Sequence, residues 1–457
     1  MYSYNSIFAS VFLRNLVILI HKQVKEIQIF VLSYSAKKAV QSCGFGDCLF
    51  NSLPIIKWLP AYKPKTDLIG DLVAGATTAV MHIPQGMAYA LLAQVPPIIG
   101  LYMAFFPVLV YVVFGTSPHV SMGTFAVACL MAGKVNYIKR YLPIRLNLFL
   151  DSNLSVEKEV VPNRHVLLKI MMWVLRLGAV STLLSEPLVS GFTTAASLHV
   201  LASQVKDLFG IRLPKLGSNY KVVLTVIEVF KNMSNLNWAA LIISFITCLP
   251  WVSKRSRVPV PIELLAIVIG TLVSKFVDLK TNYGLSLVGT IPTGLPVPEV
   301  PPMQLLPDIA LDAFTITMVT YTISMSMSLI FAAKEKYEVD ANQELLALGA
   351  SNMFGAFFTC APMCASLSRS YIQYQAGGKT GITSVVSGAL ILCVLLWVGP
   401  FFELLPRCVL ASIIAVSLKG MFMQVTELAK FWRLSKLDAL VWLATFLTTV
   451  LIDIDIG

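Results

Sequence analysis

Arg369 stands out by type and by place. It lies in Cys360-Ala361-Pro362-Met363-Cys364-Ala365-Ser366-Leu367-Ser368-Arg369-Ser370, a polar, proline-containing approach to a short helix within apolar sequence. A guanidinium stays protonated in proteins, and a charged residue inside a membrane span marks a functional site by default. It can bind an anion or pair with a carboxylate, and the first use is favoured. A matching interruption comes earlier, at Gly115-Thr116-Ser117-Pro118-His119-Val120-Ser121-Met122-Gly123-Thr124-Phe125. Non-helical backbone at membrane depth is tolerated only where protein or a water-filled cavity covers it. Paired interruptions in the two halves of a chain point to the binding site of an inverted-repeat carrier. Either one alone is equally an ordinary interhelical turn; the pair, with an arginine in one, favours a site.

Gln85 and Tyr89 lie four apart and share one helix face, offering an amide donor and a hydroxyl to one cavity. Tyr89 serves equally well as a bond to a neighbouring helix. Glu263, in Pro261-Ile262-Glu263, reads as interfacial, lone His82 and His199 as satisfied buried imidazoles, and Glu186 as structural.

The elements that must position these residues are membrane helices. Hydrophobic residues make up 56% of the 457 positions and charged ones 13%, whereas soluble domains are about half apolar and a quarter charged. A larger core cannot absorb that deficit, because a soluble surface needs polar cover; lipid can. Not one Asp, Glu, Lys or Arg occurs between Leu72 and Gly133, enough for two or three spans of roughly 20 residues each. Block by block, spans are predicted at 69–94, 98–115, 123–138, 166–183, 186–209, 236–252, 260–277, 308–333, 344–358, 367–374, 382–402, 407–423 and 437–455.

The net charge of +11 resides largely in short loops, at Lys63, Lys65, Lys254, Arg255, Arg257, Lys334, Lys336, Lys430 and Arg433. That is the positive-inside pattern of cytoplasmic loops, and it argues against a nucleic-acid partner. Counting helices from a cytoplasmic start places two glycosylation sequons outside, at Asn153 and Asn232; each is weak by itself. The eight cysteines are scattered without histidines at zinc spacing and read as free thiols. Residues 1–52 are expected to be a cytoplasmic region; residues 7–34 fit an interfacial amphipathic helix better than a signal peptide, with an interrupted spanning helix as the alternative.

A set of motifs then becomes recognisable. Gly70-Asp71-Leu72-Val73-Ala74-Gly75 is followed by Pro84-Gln85-Gly86-Met87-Ala88-Tyr89-Ala90-Leu91-Leu92-Ala93, Pro96-Pro97-Ile98-Ile99-Gly100-Leu101-Tyr102 and Phe114-Gly115-Thr116-Ser117. Leu184-Ser185-Glu186-Pro187-Leu188-Val189-Ser190-Gly191-Phe192-Thr193-Thr194, Asn342-Gln343-Glu344-Leu345, Ser366-Leu367-Ser368-Arg369-Ser370, Gly377-Gly378-Lys379-Thr380 and Leu418-Lys419-Gly420-Met421-Phe422 come later. In these segments, in this order from about residue 53 to the end, the chain resembles the sulfate permease family of anion exchangers.

The resemblance implies an all-α membrane fold, an inverted seven-plus-seven helix repeat divided into core and gate domains, over residues 53–457. It places the anion between the facing amino ends of the third and tenth half-helices, which by motif position begin at Gly123-Thr124-Phe125 and Ser366-Leu367-Ser368-Arg369. The implied substrate-binding residues are Gln85, Tyr89, Thr124, Phe125, Ser366, Ser368 and Arg369. A helix start with free N–H groups favours an anion. By base rate Phe125 is a packing aromatic, and only the motif makes it a cavity wall; Ser366 and Ser368 also read as helix caps.

The sequence departs from that pattern in a shortened stretch before Arg176-Leu177-Gly178, an atypical amino-terminal region, and an end near the thirteenth span, ahead of a fourteenth span and a STAS domain. The expected function is secondary active anion exchange by alternating access, sulfate foremost, with chloride, bicarbonate or oxalate as counter-anions. A non-transporting truncated isoform that assembles with or regulates longer relatives is the alternative, and an anion-driven motor using the same site is a third. Expected too are a plasma-membrane location and neither cofactor nor metal, while the oligomeric state, homodimer or otherwise, is left open. No nucleophile elbow or phosphate loop supports an enzyme.

Overall fold

The computed structural model describes residues 53–133, 186–211, 220–252, 262–299 and 310–451. The amino-terminal region 1–52, Asn153, the span at 166–183 and the basic cluster at 254–257 lie outside the described residues.

In chain order the helices are α1 (Ile55–Trp58), α2 (Pro64–Leu92) and α3 (Pro97–Phe114), then strand β1 (Met122–Gly123) and a helix α4 described over residues 126–133. Next come α5 (Glu186–Leu208), α6 (Lys221–Lys231), α7 (Trp238–Val252), α8 (Ile262–Val277) and α9 (Leu279–Tyr283). The later part holds α10 (Ala310–Glu335), α11 (Ala341–Phe357), strand β2 (Cys364–Ala365), α12 (Leu367–Gln375) and α13 (Ile382–Cys393). α13 runs on through a π turn (Val394–Val398) and a 3-10 turn (Gly399–Leu404). α14 (Arg407–Ser417), α15 (Lys419–Phe422), α16 (Val425–Leu434) and α17 (Lys436–Leu451) follow.

Sequence chemistry sets these limits. Pro64 and Pro97 open α2 and α3, where a missing N–H is no loss. Asp340 caps α11, its side chain accepting from the Asn342 and Gln343 N–H groups. α2 and α3 cross at Gly86 and Gly100, where a Cβ on Gly100 would run into the Gly86 carbonyl. Only glycine lets two membrane helices approach backbone to backbone like this.

Two sets of helices pack among themselves. α2, α3, α11, α12 and α13 form one; α5, α7, α14 and α17 form the other, and α2 touches both α14 and α8 at the boundary. The polarity runs inside out. Arg369, Asp71 and Glu344 are fully buried, while Phe276, Trp397, Trp238 and Phe230 are 70% exposed or more. Such an outer face suits lipid. Among the described residues, helical stretches Pro97–Phe114, Asp312–Glu335, Ile382–Leu404 and Arg407–Leu434 are long and apolar enough to cross a membrane, and Trp238–Cys248 is a shorter apolar helix.

Buried carboxylates fasten the interrupted segments. Glu344 accepts from the Tyr111 hydroxyl (2.9 Å), the Thr116 N–H (2.7 Å) and hydroxyl (2.6 Å), and the Ser117 N–H (3.2 Å). It thereby organises the loop between α3 and β1. Asp71 does the same at the start of α13, accepting from the N–H groups of Lys379 and Thr380 and the hydroxyls of Thr380 and Thr383.

Predicted and observed spans agree to within a few residues wherever both exist. Apart from the short α1 and α9, two helices went unpredicted, α6 and α16. Both are amphipathic, and α16 carries Glu427, Lys430 and Arg433, which read as loop charge in a search for apolar blocks.

Candidate anion site

The two interruptions meet. β1 and β2 pair antiparallel, Met122 opposite Ala365 and Gly123 opposite Cys364. The Ser366 N–H donates to the Ser121 carbonyl (3.2 Å), and the Ser121 N–H donates to the Ser370 hydroxyl (2.8 Å). Each strand leads directly into a helix, so the starts of α4 and α12 lie on either side of this short ribbon. Neighbouring helices hold it. Ser324 of α10 accepts from the Ala365 N–H (3.1 Å), and Asn352 of α11 accepts from the Met363 N–H (2.9 Å). These bonds satisfy backbone groups that lipid cannot.

Arg369 is 0% exposed. Its Nη1 donates to Gln85 Oε1 (3.1 Å), and Gln85 Nε2 donates to Glu263 Oε1 (3.4 Å). Among the described residues no carboxylate forms an ion pair with Arg369, and Nε and Nη2 are buried without a partner. The guanidinium is therefore tethered through an amide, while its remaining donors stay uncommitted. A buried charge in that condition is costly unless something of opposite sign joins it. The Thr124 hydroxyl, also fully buried, has no partner either.

The remaining predicted residues are distributed as follows. Ser366 precedes α12 without a side-chain capping bond, and its hydroxyl lies 3.3 Å from that of Ser368. The first N–H groups of α12 thus keep no cap from it. The Tyr89 hydroxyl bonds the Ser417 hydroxyl of α14 (2.9 Å), the helix-to-helix use that its position allowed. Phe125 packs with Val127, Met131, Phe192, Ile316 and Cys364. Gln85, Arg369, Ser366, Ser368 and Thr124 gather around the ribbon; Tyr89 reaches across the boundary to α14. Asn232 closes α6, its Nδ2 donating to the Glu228 carbonyl (2.9 Å).

Two residues differ from the sequence expectation. Glu263 is not interfacial: it is 4% exposed and joined to Gln85. Its place at the start of an apolar span looked like a membrane surface because the sequence does not show α2 packing over it. His82 is buried, yet its Nδ1 has no partner and only Nε2 meets Ser121 Oγ, at 3.4 Å. The i, i+3, i+7 spacing of His82, Gln85 and Tyr89 was the available signal.

Matches to known proteins fit this geometry. Residues 68–445 match the Sulfate permease family. The chain belongs to that family. Prestin from Danio rerio is 38% identical over 459 residues, covering 96% of this chain and 62% of that protein. The structure of murine Solute Carrier 26 family member A9, described as an anion transporter in the inward-facing state, superposes with a TM-score of 0.83 at 32% identity, covering 91% of this chain and 70% of that one. The transmembrane domain of the cyanobacterial bicarbonate transporter BicA shares the fold, with a TM-score of 0.72 at 21% identity and coverage of 86% and 98%. The chain spans between 56% and 63% of the length of the curated sulfate permease relatives it matches.

Proposed function

We propose that this chain is a secondary active anion exchanger of the plasma membrane, moving sulfate against chloride, bicarbonate or oxalate by alternating access. One observation carries this reading: a fully buried arginine, unpaired with any described carboxylate, keeps two donors without a partner beside the ribbon that leads into α4 and α12. Full positive charge and helix-start N–H groups together suit an anion. Arg369, the Thr124 hydroxyl and the Ser366–Ser368 pair offer donors from both segments, which suits an ion with several oxygens over a single sphere. Gln85 holds the guanidinium in place through Nη1, leaving Nε and Nη2 to the anion.

Among the described residues, the side-chain bonds of Tyr89 to Ser417 and Gln85 to Glu263 join the helices of this site to α14 and α8. Movement of the α2–α12 set against the α14 set would break and remake both, while the ribbon travels as one piece. Such a cycle needs no covalent chemistry.

Labelled sulfate uptake by the purified chain in liposomes tests the exchange step, with chloride, bicarbonate, oxalate or gluconate inside. Exchange predicts uptake with the first three and little with gluconate. Uptake indifferent to the internal anion would overturn it.

A further inference from the structure

His82 is 2% exposed and lies on the α2 face that also carries Gln85 and Tyr89. Its Nε2 is 3.4 Å from Ser121 Oγ, on the approach to β1, and its Nδ1 is buried with no partner. Gly123 fixes where that nitrogen lies. A Cβ built on Gly123 would stand 3.1 Å from His82 Nδ1 and 3.3 Å from Arg369 Nη2. One uncommitted nitrogen from α2 and one from α12 therefore flank the same side of the same glycine, at the end of the ribbon.

We propose that His82 is a specificity-determining residue that donates Nδ1–H to a second oxygen of a bound oxyanion, favouring sulfate and oxalate over halide. This rests on the anion-exchanger reading above. A hydroxyl proton from Ser121 on Nε2 places the imidazole proton on Nδ1, since the bond made by one ring nitrogen sets the tautomer. A chloride ion is a single sphere and is held by whichever donors surround it. Sulfate has further oxygens, and one of them engages a donor that is otherwise buried and unpaired. A site built to hydrogen-bond a ligand group discriminates against ligands lacking it, because its own polar group is left unsatisfied.

The test compares sulfate and chloride binding to the purified full chain, read as ligand-dependent shifts in melting temperature, together with uptake of both anions in liposomes. His82→Leu is expected to weaken sulfate about tenfold, the low end for one hydrogen bond to a charged group, and to leave chloride within about twofold. His82→Asn, whose amide nitrogen takes the Nδ1 position, restores most of the sulfate affinity. His82→Gln, which fills the space but moves the donor to the Nε2 side, does not. Equal loss of both anions, an unchanged sulfate-to-chloride ratio in His82→Leu, or full rescue by His82→Gln would each overturn the assignment. If His82→Leu fails to fold, the Asn and Gln variants alone decide it by the same ratio. A folded wild-type chain that binds neither anion, or an Arg369→Gln variant that keeps both, would overturn the exchanger reading itself.

Discussion

Gly123 is the residue where backbone conformation and the site are most tightly joined. Its φ is +152°, in a region that L side chains rarely adopt. A methyl group added there would stand 2.6 Å from His82 Cε1 and 3.3 Å from Arg369 Nη2. Gly123→Ala therefore meets two penalties. Holding a non-glycine residue in a sparsely populated conformation costs about 1–3 kcal/mol, and overpacking a filled interior costs about 1–3 kcal/mol more. The sum, roughly 2–6 kcal/mol, is either paid in stability or relieved by pushing His82 and Arg369 aside. The first outcome lowers the melting temperature by several degrees; the second raises the KM for sulfate at least tenfold. Melting of the detergent-purified variant at a fixed scan rate, read beside labelled uptake in liposomes, separates the two. An alanine variant that melts with the wild type and transports with the same KM would refute the reasoning, and with it the placement of Arg369 against this glycine.

Other perturbations have smaller or differently placed effects. Tyr89→Phe removes the 2.9 Å bond to Ser417 across the helix boundary; a net worth of about 1 kcal/mol predicts a change of about fivefold in transport rate with little change in melting, and a wild-type rate would count against a role for this bond in the cycle. Asp71→Ala leaves four donors at the start of α13 unsatisfied and should cost about 3 kcal/mol or more, seen as loss of folded protein on size-exclusion chromatography. Lys379→Met breaks only the exposed 3.0 Å pair with Asp67, so its melting temperature should stay near that of the wild type, because surface ion pairs contribute about 0–1 kcal/mol. Glu344→Leu removes the acceptor shared by Tyr111, Thr116 and Ser117 and should destabilise by several kcal/mol; a melting curve unchanged from wild type would show that the loop before β1 is held otherwise.

Much of this was legible from residue types alone. Helices appear where apolar blocks ran, because length and hydropathy are what a bilayer selects. Arg369 announced itself as a permanent charge on a polar approach to a short helix within apolar sequence. Gln85 followed from helical spacing to Tyr89. Other features depend on which helix lies against which. Glu263 looked interfacial until α2 was seen packed over it, and His82 looked like an ordinary buried imidazole until Gly123 and Arg369 were placed beside it. Pairing of the two strands joins residues more than 240 positions apart, Met122 to Ala365, and rests on only two residues per strand, too few for any alternating pattern to show. α6 and α16 escaped notice because an amphipathic surface helix has charge where a search for spans sees a loop.

Binding at Arg369 is the central claim, and its affinity measures it most directly. Two free donors, each worth about 1.5–3 kcal/mol in a charge-assisted bond, set a loss of at least about 3 kcal/mol for Arg369→Gln, or about 10²-fold in sulfate affinity. The measurement is sulfate affinity, from the concentration dependence of labelled uptake by the chain reconstituted in liposomes, for wild type and Arg369→Gln of equal insertion and folding. The account predicts saturable uptake by the wild type and an affinity lowered about a hundredfold in the variant. Equal affinities in the two proteins would contradict it.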